Sequence, residues 1–323
     1  MVEAAWYIIF AAFVLDYVLG DPRNLPHPVV YMGRAIGFFE PRFRRFFIKP
    51  FTAGLVFAVF LIICAYCLAL ALVWSAGRIH PFFGAGVQVL LLFYCFSVKS
   101  LKDAALAVAQ PLGAKDLAAA RRSLSMIVGR ETRTLEASGI TRAAVETVAE
   151  NFVDGFLSPL FWALVLGVPG AVAYKMVNTL DSMVGYNNDI YALFGRAAAR
   201  IDDAANFVPA RLSVFVIAAA AFFVPEASGA GAFKTGFSQG RQHKSPNAGF
   251  PEAAFAGALR IRLGGPGIYH GRQVDKPCIG DRFDEPHLPA ILSACRLMQT
   301  AALAGLAAAI FLAALHQAAG MGQ

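Results

Sequence analysis

The chain has 323 residues, 58% of them hydrophobic and only 15% charged, with a mean hydropathy of +0.57, values that exclude an ordinary soluble domain and a disordered tail. Its formal net charge is +7, but the basic residues lie in loops beside apolar runs, a bias that already accounts for the excess. The charge therefore reads as membrane topology and excludes a nucleic-acid surface.

A spanning helix needs about 20 mostly apolar residues. In chain order the candidate runs are 2–19, 51–76, 82–98, 208–224 and 299–316, with a further run, 156–174, interrupted by Pro159, Gly167, Pro169 and Gly170. They predict an all-α integral membrane protein, a single polytopic domain over 1–323 with about five to six membrane helices, one of them broken or re-entrant. Two large polar excursions, 99–155 and 225–298, complete it. The first run is too long and too weakly charged at its start for a cleavable signal and reads as a retained helix. Asp16 inside it must find a partner in the bundle or stay protonated, and Asp21, Pro22 and Pro28 predict a stop after it.

Arg23, Arg34, Arg42, Arg44, Arg45 and Lys49 follow the first run, and Lys99, Lys102, Lys115, Arg121, Arg122, Arg130, Arg133 and Arg142 follow the third. Only Arg78 lies between the second and third. The bias places both basic segments in the cytoplasm and the amino terminus outside. Cys64 and Cys67 have CxxC spacing inside the second run, but with Cys95, Cys278 and Cys295 they complete no metal framework and read as small apolar filler.

In the first excursion Asp116 can cap a helix over 117–128 that Gly129 stops, and Thr141 can cap a second helix running through Asp154. On that second helix Glu146, Glu150 and Asp154 recur at i, i+4 and i+8, with Asn151 alongside. Like charges on one stripe repel, and water, basic partners or a divalent cation relieve them. Hard oxygens suit Mg²⁺ shared with phosphates. A solvated helix face is the plainer alternative, and the adjoining membrane run favours the cation site.

After the interrupted run comes Lys175, and then Asn178, Asp181 and Ser182, which at i, i+3 and i+4 line one side of a helical turn. They lead into a loop of Gly185, Tyr186, Asn187, Asn188 and Asp189, which turn chemistry would equally explain. Asp202 and Asp203 near Arg196 and Arg200 read as surface ion pairs. If 156–174 crosses the bilayer, residues 178–206 lie outside; a re-entrant path would return them to the cytoplasmic side. In the second excursion Arg241, Lys244, Ser245 and Asn247 offer donors on a flexible backbone, as phosphate binding requires. Neither a Walker loop nor a dinucleotide fingerprint is present, and His243 reads as a loop histidine.

Five blocks carry a resemblance: LDYVLGDPRNLPHPVVYMGR (15–34), AVETVAENFVDGFLSPLFWAL (144–164), AYKMVNTLDSMVGYNNDIYALFG (173–195), ARIDDAANFVPARL (199–212) and SPNAGFPEAAFAGAL (245–259). In order and spacing the sequence resembles the membrane-bound adenosylcobinamide-phosphate synthases, the cobalamin biosynthesis proteins of the B or D type. The resemblance implies an amide-forming enzyme of the bacterial cytoplasmic membrane. It would join the propionate carboxylate of adenosylcobyric acid to aminopropanol as its O-phosphate and give adenosylcobinamide phosphate, with ATP consumed and Mg²⁺ as cofactor. On that basis Glu146, Glu150 and Asp154 are assigned to Mg²⁺ and catalysis, with Asp181 and Asp189 as alternatives. Arg241, Lys244, Ser245 and Asn247 would bind phosphate, Arg130 and Arg133 would neutralise developing charge, and Asn151, Lys175, Asn178, Asn187 and Asp189 would contact substrate. Membrane lipid and other enzymes of the pathway are the implied partners. The competing reading is a membrane signalling or scaffold protein, like the related ampicillin-resistance regulators, or a corrinoid carrier; a carrier should show paired broken helices in two similar halves, and no halves repeat here.

Overall fold

The computed structural model describes residues 4–21, 27–186, 188–269 and 272–320. Among the described residues the chain is all-α apart from four strands of two or three residues. Five helical stretches are long and apolar enough to cross a membrane: Pro50–Ile79, Pro81–Gly113, Ala137–Val184, Arg196–Ala221 and Pro289–His316. The chain is a multi-pass membrane protein. The first apolar run corrects an expectation: its helix, α1 (Trp6–Leu19), has 14 residues, about 21 Å of rise, short of the roughly 30 Å hydrocarbon layer. The stop after α1 was expected to include Pro22, which lies outside the described residues.

Contacts group the chain into two compact units, one of Met1–Ser97, Asp154–Asn206 and Leu306–Gln323, the other of Val98–Val153 and Phe207–Gly305. The first contains α1, α2 (Pro28–Phe46), α3 (Pro50–Ile79), α4 (Pro81–Phe93), α8 (Ser158–Val184) and the beginning of α9 (Arg196–Ala221). Proline at the first position of α2, α3 and α4 sets the helical φ without losing a needed amide. Ile36, Phe57, Leu61, Met176, Leu180 and Phe194 form one apolar core between α2, α3 and α8. Cys64 and Cys67 are exposed on α3, while Cys95 and Cys295 are buried.

Two helix interruptions meet in this unit. The chain breaks after α4 over residues 94–97, and α8 is preceded by a π-turn, Val153–Leu157. The Ser97 amide donates to the Gly155 carbonyl at 2.9 Å, and the Ser97 hydroxyl donates to the same oxygen at 3.3 Å. A Cβ on Gly155 would stand 2.0 Å from the Ser97 oxygen, so this approach needs glycine. The expected break in the run 156–174 is present: Gly167 adopts φ 72°, ψ −176° two residues before Pro169. Non-helical backbone at this depth is tolerated where protein covers it, and Gly167 is buried.

The second unit contains α5 (Val98–Gly113), α6 (Leu117–Ser125), α7 (Ala137–Phe152), α10 (Gly229–Gln239), α11 (Gly249–Leu259), strands β1 (Leu263–Gly264), β2 (Gly267–Tyr269), β3 (Arg272–Val274) and β4 (Cys278–Ile279), and most of the described length of α12 (Pro289–Gly320). β1 pairs antiparallel with β4 and β2 with β3. Asp116 caps α6 as expected, its Oδ1 accepting from the Ala119 amide at 2.9 Å. Two boundaries differ from expectation. α6 ends at Ser125, ahead of Gly129. α7 begins at Ala137, so Thr141 lies inside it and donates to the Ala137 carbonyl at 2.9 Å. A threonine hydroxyl can be satisfied by the carbonyl one turn back, and then it marks no helix start.

Candidate functional site

The acids expected to act together, Glu146, Glu150 and Asp154, have different surroundings. Glu146 lies on the buried face of α7 at 3% exposure. Arg130 donates to its Oε2, and the Gly264 amide of β1 donates to its Oε1 at 2.7 Å. Glu150, one turn on, is exposed. Asp154 belongs to the π-turn, where the wider i→i+5 spacing departs from the α-helical register the stripe assumed. Asn151 donates to the Thr147 carbonyl at 3.0 Å.

A further acid joins Glu146 and Glu150 in the second unit. Glu252 on α11 is buried among apolar neighbours. Its carboxyl is held well above the usual range by burial first, then by the charges of Glu146 and Glu150, against the pull of Lys276 and Arg130. His243 accepts the Ser245 amide on Nδ1 at 3.0 Å and has Nε2 4.0 Å from Glu252 Oε2. Burial lowers its pKa, with Lys276 acting in the same direction.

The pH consequence follows from the signs. A carboxyl protonated in the fold contributes stability that is complete below its ordinary value of 4.5 and is lost as pH rises through the raised folded value. The thermal midpoint of the purified protein in metal-free buffer is expected to fall as pH rises above the ordinary carboxyl value of 4.5, and Glu252→Gln should flatten that fall. His243, lowered from 6.5, gives a slope of the opposite sign. Parallel curves would show that Glu252 carries no such burden.

Beside this cluster a cleft of about 800 Å³ is lined by Arg121, Arg122, Arg130 and Arg133, with Ser125, Glu131 and Thr132. The loop between α6 and α7 holds its shape through Arg121, which donates to the Leu135 carbonyl at 2.8 Å, and Thr132, which donates to the Arg121 carbonyl at 3.0 Å. Four arginines lining one hollow suit a multiply charged phosphate ligand.

The segment expected to bind phosphate divides by environment. Ser245 Oγ accepts the amides of Asn247 at 3.3 Å and Ala248 at 3.2 Å, shaping the entry to α11. Asn247 is buried and its Oδ1 accepts from Arg211 at 3.0 Å. Arg241 and Lys244 are exposed.

In the first unit, Tyr174 donates to Asn206 Oδ1 at 2.9 Å and lies 3.4 Å from Asp154 Oδ1, while Asn178 donates to Asp154 Oδ2 at 3.4 Å. Ser158 donates to the same Asn206 oxygen at 2.6 Å, and Asn206 donates to Asp202 at 3.0 Å. Asp202 is thus part of a buried network and more than a surface ion pair. Asp181 lies against Gly185, where a Cβ would stand 2.0 Å from its Oδ1. Asn188 accepts the amides of Ile190 at 3.2 Å and Tyr191 at 2.9 Å, which is turn chemistry. Asp189 is exposed in that turn, and Asn187 lies outside the described residues. Lys175 and Asn178 line a cleft of about 630 Å³ together with Asp21, His27 and Arg34.

Among the described residues no three His, Cys, Asp or Glu side chains are grouped to hold a metal ion. The exposed Glu150 carboxylate fits an ion that arrives on phosphates and takes only one or two protein oxygens. Glu252 and Lys276 were not singled out from the sequence, and Arg121, Arg122 and Arg34 counted there only as basic residues that set the topology. Glu252 had a legible signal, a lone acid in the apolar run PEAAFAGAL; Arg34 closes the first of the blocks that carry the resemblance, and Lys276 had no signal beyond charge.

The pattern of one protein family, described as CobD/Cbib protein, matches residues 9–298. A cobalamin biosynthesis protein CobD of Klebsiella pneumoniae is 45% identical over 97% of this chain and 97% of its own length. A cobalamin biosynthesis protein CbiB of Salmonella choleraesuis is 44% identical over 97% of this chain and 98% of its own. A CobD of Geobacter metallireducens is 44% identical over 90% and 91%. No solved structure matches. A match that runs through α1 to α12, with relatives this similar over nearly their whole length, leaves one conclusion: the chain belongs to the CobD/CbiB family, alongside proteins named for cobalamin biosynthesis.

Proposed function

We propose that the chain catalyses the ATP-dependent joining of aminopropanol, as its O-phosphate, to a propionate carboxylate of adenosylcobyric acid, giving adenosylcobinamide phosphate in the cytoplasmic membrane of a bacterium. The observation that carries this reading is family membership over residues 9–298, with close relatives named for cobalamin biosynthesis. The residues agree with the chemistry. A carboxylate does not react with an amine until one oxygen becomes a leaving group. The carboxylate oxygen therefore takes the terminal phosphoryl group of ATP, releasing ADP. The amine then attacks the acyl carbon, phosphate leaves, and the amine gives up its proton.

The arginine cleft is the place for the polyphosphate, where Arg121, Arg122, Arg130 and Arg133 would hold the transferring group and offset its charge. Glu146 positions Arg130 for that task. Mg²⁺ bound with the nucleotide would supply charge neutralisation, and Glu150 would hold it. Lys175, Asn178 and the Asp154 carboxylate that holds Asn178 are the substrate-facing groups of the first unit.

Purified protein incubated with adenosylcobyric acid, MgATP and aminopropanol O-phosphate is expected to yield a corrinoid heavier by the amide-linked amine, identified by mass, together with stoichiometric ADP. ATP hydrolysis without a new corrinoid, or no reaction in any combination, would sink this reading.

A further inference from the structure

The cleft of about 630 Å³ in the first unit differs in kind from the arginine cleft. Two of its lining cations, Arg34 on α2 and Lys175 on α8, make no ion pair among the described residues. The Arg34 guanidinium lies 5.6 Å from the centre of the Tyr31 ring. Lys175 belongs to a helical stretch apolar enough to cross a membrane, where a cation is costly unless water or an anion meets it. The same hollow includes an acid, Asp21, with His27 Nε2 3.4 Å from its Oδ1. His27 also packs edge-on against Tyr94, ring centres 5.0 Å apart. Asn178 is held by Asp154.

The charge content points to a ligand class. Four lining arginines, one of them paired with Glu146, suit a polyphosphate. Two cations beside one acid suit a single phosphate carried on a molecule that also bears an ammonium group. A small amino-alcohol phosphate would occupy only part of this volume, which leaves room for the carboxylate-bearing arm of a larger partner substrate.

We propose that this cleft is the binding site for the amine co-substrate in its O-phosphorylated form, with Arg34 and Lys175 holding the phosphate and Asp21 facing the ammonium end; this rests on the amide-forming reading above. Specificity follows from the same residues. The unphosphorylated amino alcohol would leave both cations without an anion, a penalty that makes such sites discriminate strongly.

The test is binding by calorimetry to the full-length purified protein, without ATP or corrinoid. The probes are aminopropanol O-phosphate, aminopropanol, inorganic phosphate and ATP. Wild type is expected to bind aminopropanol O-phosphate more tightly than aminopropanol or inorganic phosphate. Arg34→Gln and Lys175→Gln should each weaken it about 10- to 100-fold, while Lys234→Gln, at an exposed position outside both clefts, leaves it unchanged. Arg34→Lys and Lys175→Arg, with unchanged helix content, should recover part of the loss and so separate a charge effect from misfolding. The proposal is overturned if aminopropanol binds as tightly, if inorganic phosphate binds as tightly, if the Gln variants bind as wild type does, or if they lose ATP and not the ester. Binding that depends on Arg34 and Lys175 in a protein that makes no amide would retain the site and reject the reaction. Amide formation indifferent to both residues would do the reverse.

Discussion

Glu150→Gln is expected to lower amide formation by a factor of about 10² to 10³ while helix content and membrane insertion stay as in wild type. The substitution keeps the shape of the side chain and removes its charge. Glu150 is exposed on α7 one turn beyond Glu146, whose oxygens already accept from Arg130 and the Gly264 amide. Of these two acids it is therefore the one turned toward solvent, where an incoming cation arrives. The loss should appear in the initial rate of corrinoid product measured by mass, and the Mg²⁺ concentration giving half-maximal rate should rise. Glu150→Asp should recover part of both. Turnover of Glu150→Gln at the wild-type rate would remove the metal assignment.

Removing either partner of the Arg130–Glu146 pair is expected to cost about 3–5 kcal/mol of stability, because a buried charge is left without its counter-charge. Glu146 is 3% exposed and the Arg130 side chain 11%, so solvent does little to screen the loss. Glu146→Leu also takes the acceptor from the Gly264 amide, which ties α7 to β1. The double variant Arg130→Met/Glu146→Leu should be more stable than the sum of the singles predicts by at least about 1 kcal/mol. The measurement is reversible denaturation in detergent across the four proteins of the cycle. Additive losses, or single losses below about 1 kcal/mol, would mean that the pair is not the tie between the α6–α7 loop and α7.

How much of this was legible depends on how local the cause is. The apolar runs could be read directly, since length and hydropathy decide whether a helix can lie in lipid. The interruption at Gly167 and Pro169 announced itself through residue type, and Asp116 capped α6 where its side chain could reach the free amides. Thr141 misled because the same hydroxyl serves at a cap or one turn inside a helix. The π-turn at Val153–Leu157 had no residue signature; it is coupled to the chain break at 94–97 through Ser97 and Gly155, which are 58 positions apart.

The same division applies to the candidate sites. The sequence by itself determined an all-α membrane protein, a stripe of acids on one helix and cations beside the membrane runs, because composition and helical periodicity act over a few turns. It also displayed the blocks by which the family is known. Only the tertiary structure decided that Glu146 answers Arg130 and a glycine amide 118 residues away, that Glu252 shares its field, and that Arg34 and Lys175 open on one hollow. Those outcomes depend on which distant side chains share a desolvated space, since in low dielectric each charge must be met by a partner and the fold alone selects which one.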